Sequence, residues 1–444
     1  MKDTIAIANS SLPMQGGMEG LNSSLPTQGG MEGLNSSLPM QGDLEGLNKS
    51  LPTQGGLEGL FFELLQVAIG NRKSLTRQLS DDEWVSLYSE CEKHALLGVA
   101  FAGVERLPKE QCPPFDVLAE WVHDAQVAKE RNELLNKRCC EVCEILDRDG
   151  FNSCILKGQS NLANYPEYLK DYRTAGDIDV LCWPKKGKGI RKVVEYAKSI
   201  AKSKGVLDKI EVRYHHVDVP MLDDVPVEVH LRPMLLSNPF FNSRLQIIFA
   251  YYGDSTTCFE GFNIPTNIFN SIYQLVHIYH HLFEEGVGLR QLLDYYFVLC
   301  SLFMEQRKHA NYTSSMAMFE DGFEKKVMSK EQIQYQLKRL HLDRLAAAVM
   351  YVLQTVFDMP DEYLILEPDK KEGEFLLSEI MLAGNFGKYD KRKGDLLNES
   401  PLHKFVRKSH NSIRLVAHYP HEALWEPIFR LYHWFWRKFE LWRW

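Results

Sequence analysis

The spacing of apolar positions changes character twice along the chain. From Phe61 to Gly150 apolar residues recur at helical intervals. Trp84, Leu87, Tyr88, Cys91 and Ala95 mark one helix, and Leu118, Trp121, Val122 and Ala125 a second. A longer third carries Leu135, Cys139, Val142, Cys143 and Leu146. Ser80-Asp81-Asp82-Glu83 has the form of a capping box, with the Ser80 hydroxyl placed for the Glu83 N–H, and Gly150 is placed to stop the third helix. Residues 61–150 are therefore expected to be a helical domain whose aromatic stripe is core. At Phe151 the period shortens. Residues 151–156 read as a buried strand ending in a Lys157-Gly158 turn, and 177–181 as a second strand. A helix runs through Val193, Val194, Ala197 and Ile200. Residues 214–220 and 225–231 alternate as a hairpin joined by Leu222-Asp223-Asp224. From Asn238 the pattern is helical again, with breaks near Pro265, Gly286, Pro360 and Gly384. The expected fold class is α+β, with a small core over 151–236 flanked by helical domains at 61–150 and 237–444.

Ahead of this lies a repeat. Residues 9–60 hold four copies of a thirteen-residue unit starting at Asn9, Asn22, Asn35 and Asn48, with Pro13, Pro26, Pro39 and Pro52 in phase. Each copy offers a few leucines and methionines against glycines and a proline, too little apolar surface to offset chain entropy. Residues 1–60 are expected to be a disordered tail, produced by duplication of a coding segment.

Composition narrows the function. The 444 residues carry a net charge of −8 and a pI near 6.0. That argues against a broad basic surface coating long nucleic acid. Nine cysteines, an odd number without a second ligand pair near Cys139, Cys140 and Cys143, read as reduced thiols rather than a disulfide framework or zinc site. The first residues lack the apolar run of a signal peptide, and no stretch is long enough to cross a bilayer, so the expected location is cytoplasmic.

The candidate chemistry sits on the strands. In Gly176-Asp177-Ile178-Asp179-Val180 strand alternation puts both carboxylates on one face while Ile178 and Val180 face the core. Two such carboxylates repel unless a cation lies between them. Glu228 occupies the polar face of 227–231. If that strand lies beside 177–181, three carboxylates converge and can hold divalent metal. Gly158 allows close backbone approach to a triphosphate, and Lys157 and Arg173 supply positive charge for phosphoryl transfer.

Leu156-Lys157-Gly158, Tyr165-Pro166 and Arg173-x-x-Gly176-Asp177-Ile178-Asp179 together resemble the bacterial family of uncharacterised nucleotidyltransferases. They are more distantly similar to the nucleotidyltransferase toxins of abortive-infection systems. The resemblance extends through His215-His216, Glu228-x-His230, His277 and Leu292-Leu293-Asp294, over roughly 61–430. It implies the polymerase-beta-type fold, a small mixed sheet in which Asp177, Asp179 and Glu228 bind Mg2+ (or Mn2+). It also implies an NTP as substrate, with Lys157, Gly158, Ser160, Arg173 and Gly176 on the nucleotide. The glycine turn departs from the superfamily's Gly-Gly or Gly-Ser, since Gln159 follows Gly158. The implied reaction moves an NMP onto an unidentified acceptor, a small molecule, a protein or a tRNA end, and releases pyrophosphate. The alternative is a non-catalytic protein that keeps the fold to bind nucleotide or a partner.

Several histidines lie nearby in sequence. His215 and His216 are expected on opposite strand faces, so that at most one reaches the site, and His230 reads as a structural histidine. His277, His280 and His281 at helical spacing, with Asp294 beyond, would suit a metal site or a pocket lining, and neither role is the expected one. Near the C-terminus Ile428, Leu431, Phe435, Phe439 and Trp442 share a helical face beside Arg437, Lys438 and Arg443. That helix is expected to dock on its own protein, with peripheral membrane contact as the second reading.

Overall fold

The computed structural model describes residues 56–174, 176–187, 189–315, 328–393 and 400–443. The expected disordered tail falls outside them except at its end. There helix α1 (Leu57–Ile69) begins inside the last repeat copy, four residues before the expected boundary at Phe61, because Leu60 is fully buried. Helices α2 (Asp81–Lys93) and α3 (Leu97–Val104) come next. The Ser80 capping box forms as expected: the Glu83 N–H donates to the Ser80 hydroxyl and the Ser80 N–H to the Glu83 carboxylate at 2.9 Å.

The next two expected helices are one. Helix α4 runs unbroken from Phe115 to Arg148, because no glycine or proline interrupts the polar stretch between Ala125 and Leu135. Its first half packs Val117, Trp121 and Ala125 into a large helical core, and its second half packs Leu135, Cys139, Val142 and Leu146 against the sheet. Gly150, at φ +91°, stops it.

The sheet is small and mixed. Strands β1 (Phe151–Ile155), β2 (Ile178–Pro184), β3 (His216–Val219) and β4 (Val227–His230) lie in the order β1-β2-β4-β3. β2 pairs antiparallel with β1 and parallel with β4, and β3 with β4 forms the expected hairpin. The short helix α5 (Glu167–Lys170) precedes β2, and α6 (Ile190–Ser203) covers one face of the sheet with Val193, Val194 and Ala197.

The remainder is mostly helical: α7 (Pro239–Tyr252), α8 (Asn267–Glu284), α9 (Leu289–Ser315), α10 (Lys330–Arg339), α11 (Asp343–Phe357), α12 (Lys370–Ala383), α13 (Pro401–Leu415), α14 (Pro420–Ala423) and α15 (Glu426–Lys438). The uniformly helical expectation misses a second hairpin, β5 (Thr256–Phe259) and β6 (Phe262–Pro265), turned by Glu260 and Gly261 at positive φ. The fold class is α+β, as expected. Among the described residues no helix is long and apolar enough to cross a membrane.

The C-terminal helix docks on the sheet by one face. Trp436 and, just beyond α15, Trp442 enter the sheet core, and the Tyr214 N–H donates to His433 Nε2 at 3.0 Å. The opposite face of α15 leaves Ile428, Leu431, Phe435 and Phe439 exposed, so Trp442 does not share their surroundings.

Candidate active site

The parallel pairing of β2 with β4 decides the geometry. It sets Asp179 directly opposite Glu228. Since paired residues project to the same side of a sheet, the two carboxylates stand together, and Asp177 lies one step before β2 on that side. Ligand oxygens of Asp177, Asp179 and Glu228 all lie within 4.8 Å of one another. The conditional convergence read from the sequence is therefore realised in space.

Asp179 is 5% exposed and carries two basic partners on one oxygen. Lys157 Nζ lies 2.7 Å from Oδ1, and His230 Nε2 lies 2.9 Å from the same atom. Burial opposes its charge, but Lys157 and His230 together hold the carboxyl well below the usual range. His230 is fully buried, with Nδ1 3.2 Å from the Pro233 carbonyl oxygen. Both ring nitrogens thus face acceptors. Despite its burial, the bond to Asp179 raises its pKa. Asp177, whose side chain reaches solvent, is raised to about 6, first by the Asp179 charge and then by desolvation. Asp177 thus bears the repulsion that Lys157 and His230 leave unrelieved, and a divalent cation would relieve it.

Lys157 and Gly158 are brought to this point by β1. The Leu156 N–H donates to the Asp179 carbonyl at 2.8 Å, so the turn after β1 runs beside the carboxylate. Gly158 has φ +49°, a left-handed conformation that costs glycine little. The chain then winds into a 3-10 segment, Gly158–Asn164, rather than an α-helix. Ser160 within it is fully buried and does not line the cavity.

Arg173 is also buried, and its guanidinium is engaged. Nε and Nη2 each donate to Asp294 at 2.7 Å, and the Tyr165 hydroxyl donates to the same carboxylate at 2.8 Å. Around it, Asn132 Nδ2 donates to the carbonyls of Asp171 and Arg173, Arg131 to that of Gly176, and Arg290 to that of Thr174. Side chains from α4 and α9 thereby clamp the segment that delivers Asp177.

The triad forms one end of a cavity of about 530 Å³. Lys157, Gly158, Arg173 and Gly176 reach it, and so do basic residues that sequence reasoning missed. Arg290 on α9 lines it with a buried Nε that has no hydrogen-bond partner among the described residues. Burial, and next the Arg173 charge, lower its pKa to about 10. Arg213, Lys404, Lys408, Arg430 and Arg437 complete the basic wall, with Lys408 and Arg430 both paired to Glu284 of α8. They come from separate stretches of chain, and no local motif announces them.

Imidazoles fill much of the remaining lining. His215 and His216 both reach the cavity, contrary to the expectation of opposite faces, because His215 lies ahead of β3 and escapes strand alternation. His277 and His281 meet through their Nε2 atoms at 2.7 Å, and the His280 ring lies 5.4 Å from that of His215. Burial lowers His216 to about 2 and His280 to about 4, leaving both neutral.

Comparison with known proteins fits this geometry. The model of a family described as uncharacterised nucleotidyltransferase matches residues 80–310, just over half of the chain. The chain belongs to this family. The nucleotidyltransferase match spans every residue of the carboxylate cluster and the Arg173–Asp294 pair. Lys404, Lys408, Arg430 and Arg437 of the basic wall lie beyond it. The match does not extend to the toxins of abortive-infection systems. No curated protein and no solved structure matches the chain.

Proposed function

We propose that the protein is a divalent-metal-dependent nucleotidyltransferase that moves an NMP from an NTP to an acceptor hydroxyl or phosphate. The register of β2 against β4, which sets Asp179 opposite Glu228 beside Asp177, is the observation that carries the reading. An acceptor oxygen forms a bond to the α-phosphorus, a hydroxyl acceptor's proton passing to solvent, the bond from that phosphorus to the bridging oxygen breaks, and pyrophosphate leaves with the electron pair. Asp177, Asp179 and Glu228 would hold Mg2+ or Mn2+. Such a cation offsets phosphate charge and lowers the pKa of the attacking group. Lys157 and His230 keep Asp179 ionised and fixed. Gly158 gives the phosphates close access to the backbone. Arg290 and Lys404 are the basic side chains best placed to meet phosphate oxygens, since Lys408, Arg430 and Arg437 already have acidic partners. Arg173 acts from behind, through the segment that carries Gly176 and Asp177.

Calorimetry with ATP, GTP, CTP and UTP, with and without magnesium, tests this on wild type beside Asp177→Ala/Asp179→Ala and the milder Asp177→Asn. At least one NTP is expected to bind with magnesium, and on the order of a hundredfold more weakly in the double variant. A folded wild-type protein that binds none of the four overturns the reading. Binding indifferent to magnesium would favour a non-catalytic nucleotide-binding protein.

A further inference from the structure

One neighbour of the carboxylate triad is not used by the reaction above. His216 pairs with His230 across the β3–β4 hairpin, and Glu228 lies two residues from His230 on the same face. One ligand atom from each of His216, Glu228 and His230 falls within 4.8 Å of the other two. His216 is 5% exposed, and its buried Nδ1 has no hydrogen-bond partner while lying 3.5 Å from Glu228 Oε2 at the cavity wall. A buried, unpartnered ring nitrogen beside a carboxylate is a costly arrangement unless something occupies the gap.

We propose that His216, Glu228 and His230 form a second metal site, sharing Glu228 with the triad, that takes an imidazole-accepting divalent transition metal in preference to magnesium. The donor set is the argument. Magnesium favours oxygen ligands in a strict octahedron, whereas two imidazoles and a carboxylate suit transition ions. The far nitrogen of His230 is also supported as a metal-bound histidine requires. His230 Nδ1 faces the Pro233 carbonyl oxygen, which leaves Nε2 to turn on Asp179 and Glu228. The Asp218 carboxylate lies 3.8 Å from His216 Nε2, beyond hydrogen-bond reach. On binding, the ion replaces the proton on His230 Nε2, which leaves to solvent. Arg213 is the competitor. Its Nη1 lies 3.1 Å from His216 Nε2 and its Nη2 3.5 Å from Asp218 Oδ2. The tautomer that frees Nδ1 carries its proton on Nε2, which Arg213, able only to donate, opposes, so metal binding has to displace the Arg213 guanidinium. The inference shares Glu228 and His230 with the proposed reading, the ion taking over from the His230 proton in offsetting the Asp179 charge.

Pulsed electron paramagnetic resonance of Mn2+ added to the full chain detects imidazole nitrogen directly, and Co2+ titration followed by visible absorption gives affinities. Wild type is expected to show nitrogen coupling. His216→Asn, verified as folded by circular dichroism, should weaken Co2+ about tenfold or more while magnesium affinity moves less than about twofold. Arg213→Gln should strengthen Co2+ severalfold, an effect that the loss of a merely structural neighbour does not produce. Absence of nitrogen coupling in wild type, or equal losses of Co2+ and magnesium in His216→Asn, overturns the site. Nitrogen coupling in a protein that binds no NTP supports the metal site and sinks the nucleotidyltransferase reading. NTP binding without nitrogen coupling does the reverse.

Discussion

Arg173 and Lys157 show two uses of a cation beside the carboxylate cluster. Lys157 faces the cavity and neutralises Asp179, a residue meant to meet other charges as well. Arg173 is 4% exposed, and Asp294 accepts from its Nε and Nη2 while Nη1 donates to the Thr174 carbonyl. Burying an ion pair is not in itself stabilising, but removing one partner strands the other. Arg173→Leu is therefore expected to cost about 3 to 5 kcal/mol. Asp294→Leu should cost a similar amount, and the two together much less than their sum. A double-mutant cycle in urea measures this, and additive losses would show that the pair is not coupled. In sequence Arg173 is simply a cation between two nearby acids, Asp171 and Asp177. Its true partner lies 121 residues away on α9, beyond the reach of any local pattern.

Elements are legible in proportion to how much their own residues decide them. The capping box before α2, the alternation of β3 and β4 and the stop at Gly150 are local, and each forms as the spacing predicts. Alternation puts Asp177, Asp179 and Glu228 on polar strand faces, but only the β2–β4 pairing makes them neighbours, and pairing is a tertiary fact. Hairpin β5–β6 stays hidden because its strands are four residues each, within a region of strong helical period. Helix α15 docks as expected, but not by the face its amphipathic pattern marks, since Ile428, Leu431, Phe435 and Phe439 stay exposed. Trp436 is 3% exposed, with its ring 5.4 Å from Tyr214, which leads into β3. Trp436→Ala is expected to destabilise the protein by about 3 kcal/mol. It should also weaken NTP binding, because α15 and the Tyr214 segment packed on it form one wall of the cavity. A variant as stable as wild type in denaturant titration would show that the helix is held from elsewhere.

At the scale of the whole molecule, acids buried without enough cations tie stability to pH. Glu422, next to α15, is 8% exposed and is raised to about 7 by burial, although the Ser237 N–H donates to it. Glu426 is raised to about 7 for the same leading reason. A carboxyl whose folded pKa is raised contributes stability fully below its unfolded pKa, and that contribution is lost as pH rises through the folded value. Between about pH 4.5 and pH 7 these two acids therefore lose stability as pH rises, while buried neutral His216 and His280 gain it up to about pH 6.5. Glu422→Gln should remove its share of the loss, on the order of 3 kcal/mol. A melting profile of the variant that parallels wild type would rule this out. Glu284, held low by Arg430 and Lys408 against its burial, titrates far below this window and does not enter it.

Helix α4 gives the molecule its grain. One span of 34 residues is rooted at its start among helices and at its end under the sheet that bears the carboxylates. A state in which the bundle has melted while the sheet survives would have to snap that span near its middle, giving up backbone hydrogen bonds where no glycine or proline makes a natural joint. The protein therefore lacks an easy line of cleavage, and damage to the distant helical wall around Trp121 is felt as looseness at Asp177, whose carrier segment hangs from Arg131 and Asn132 of the same helix.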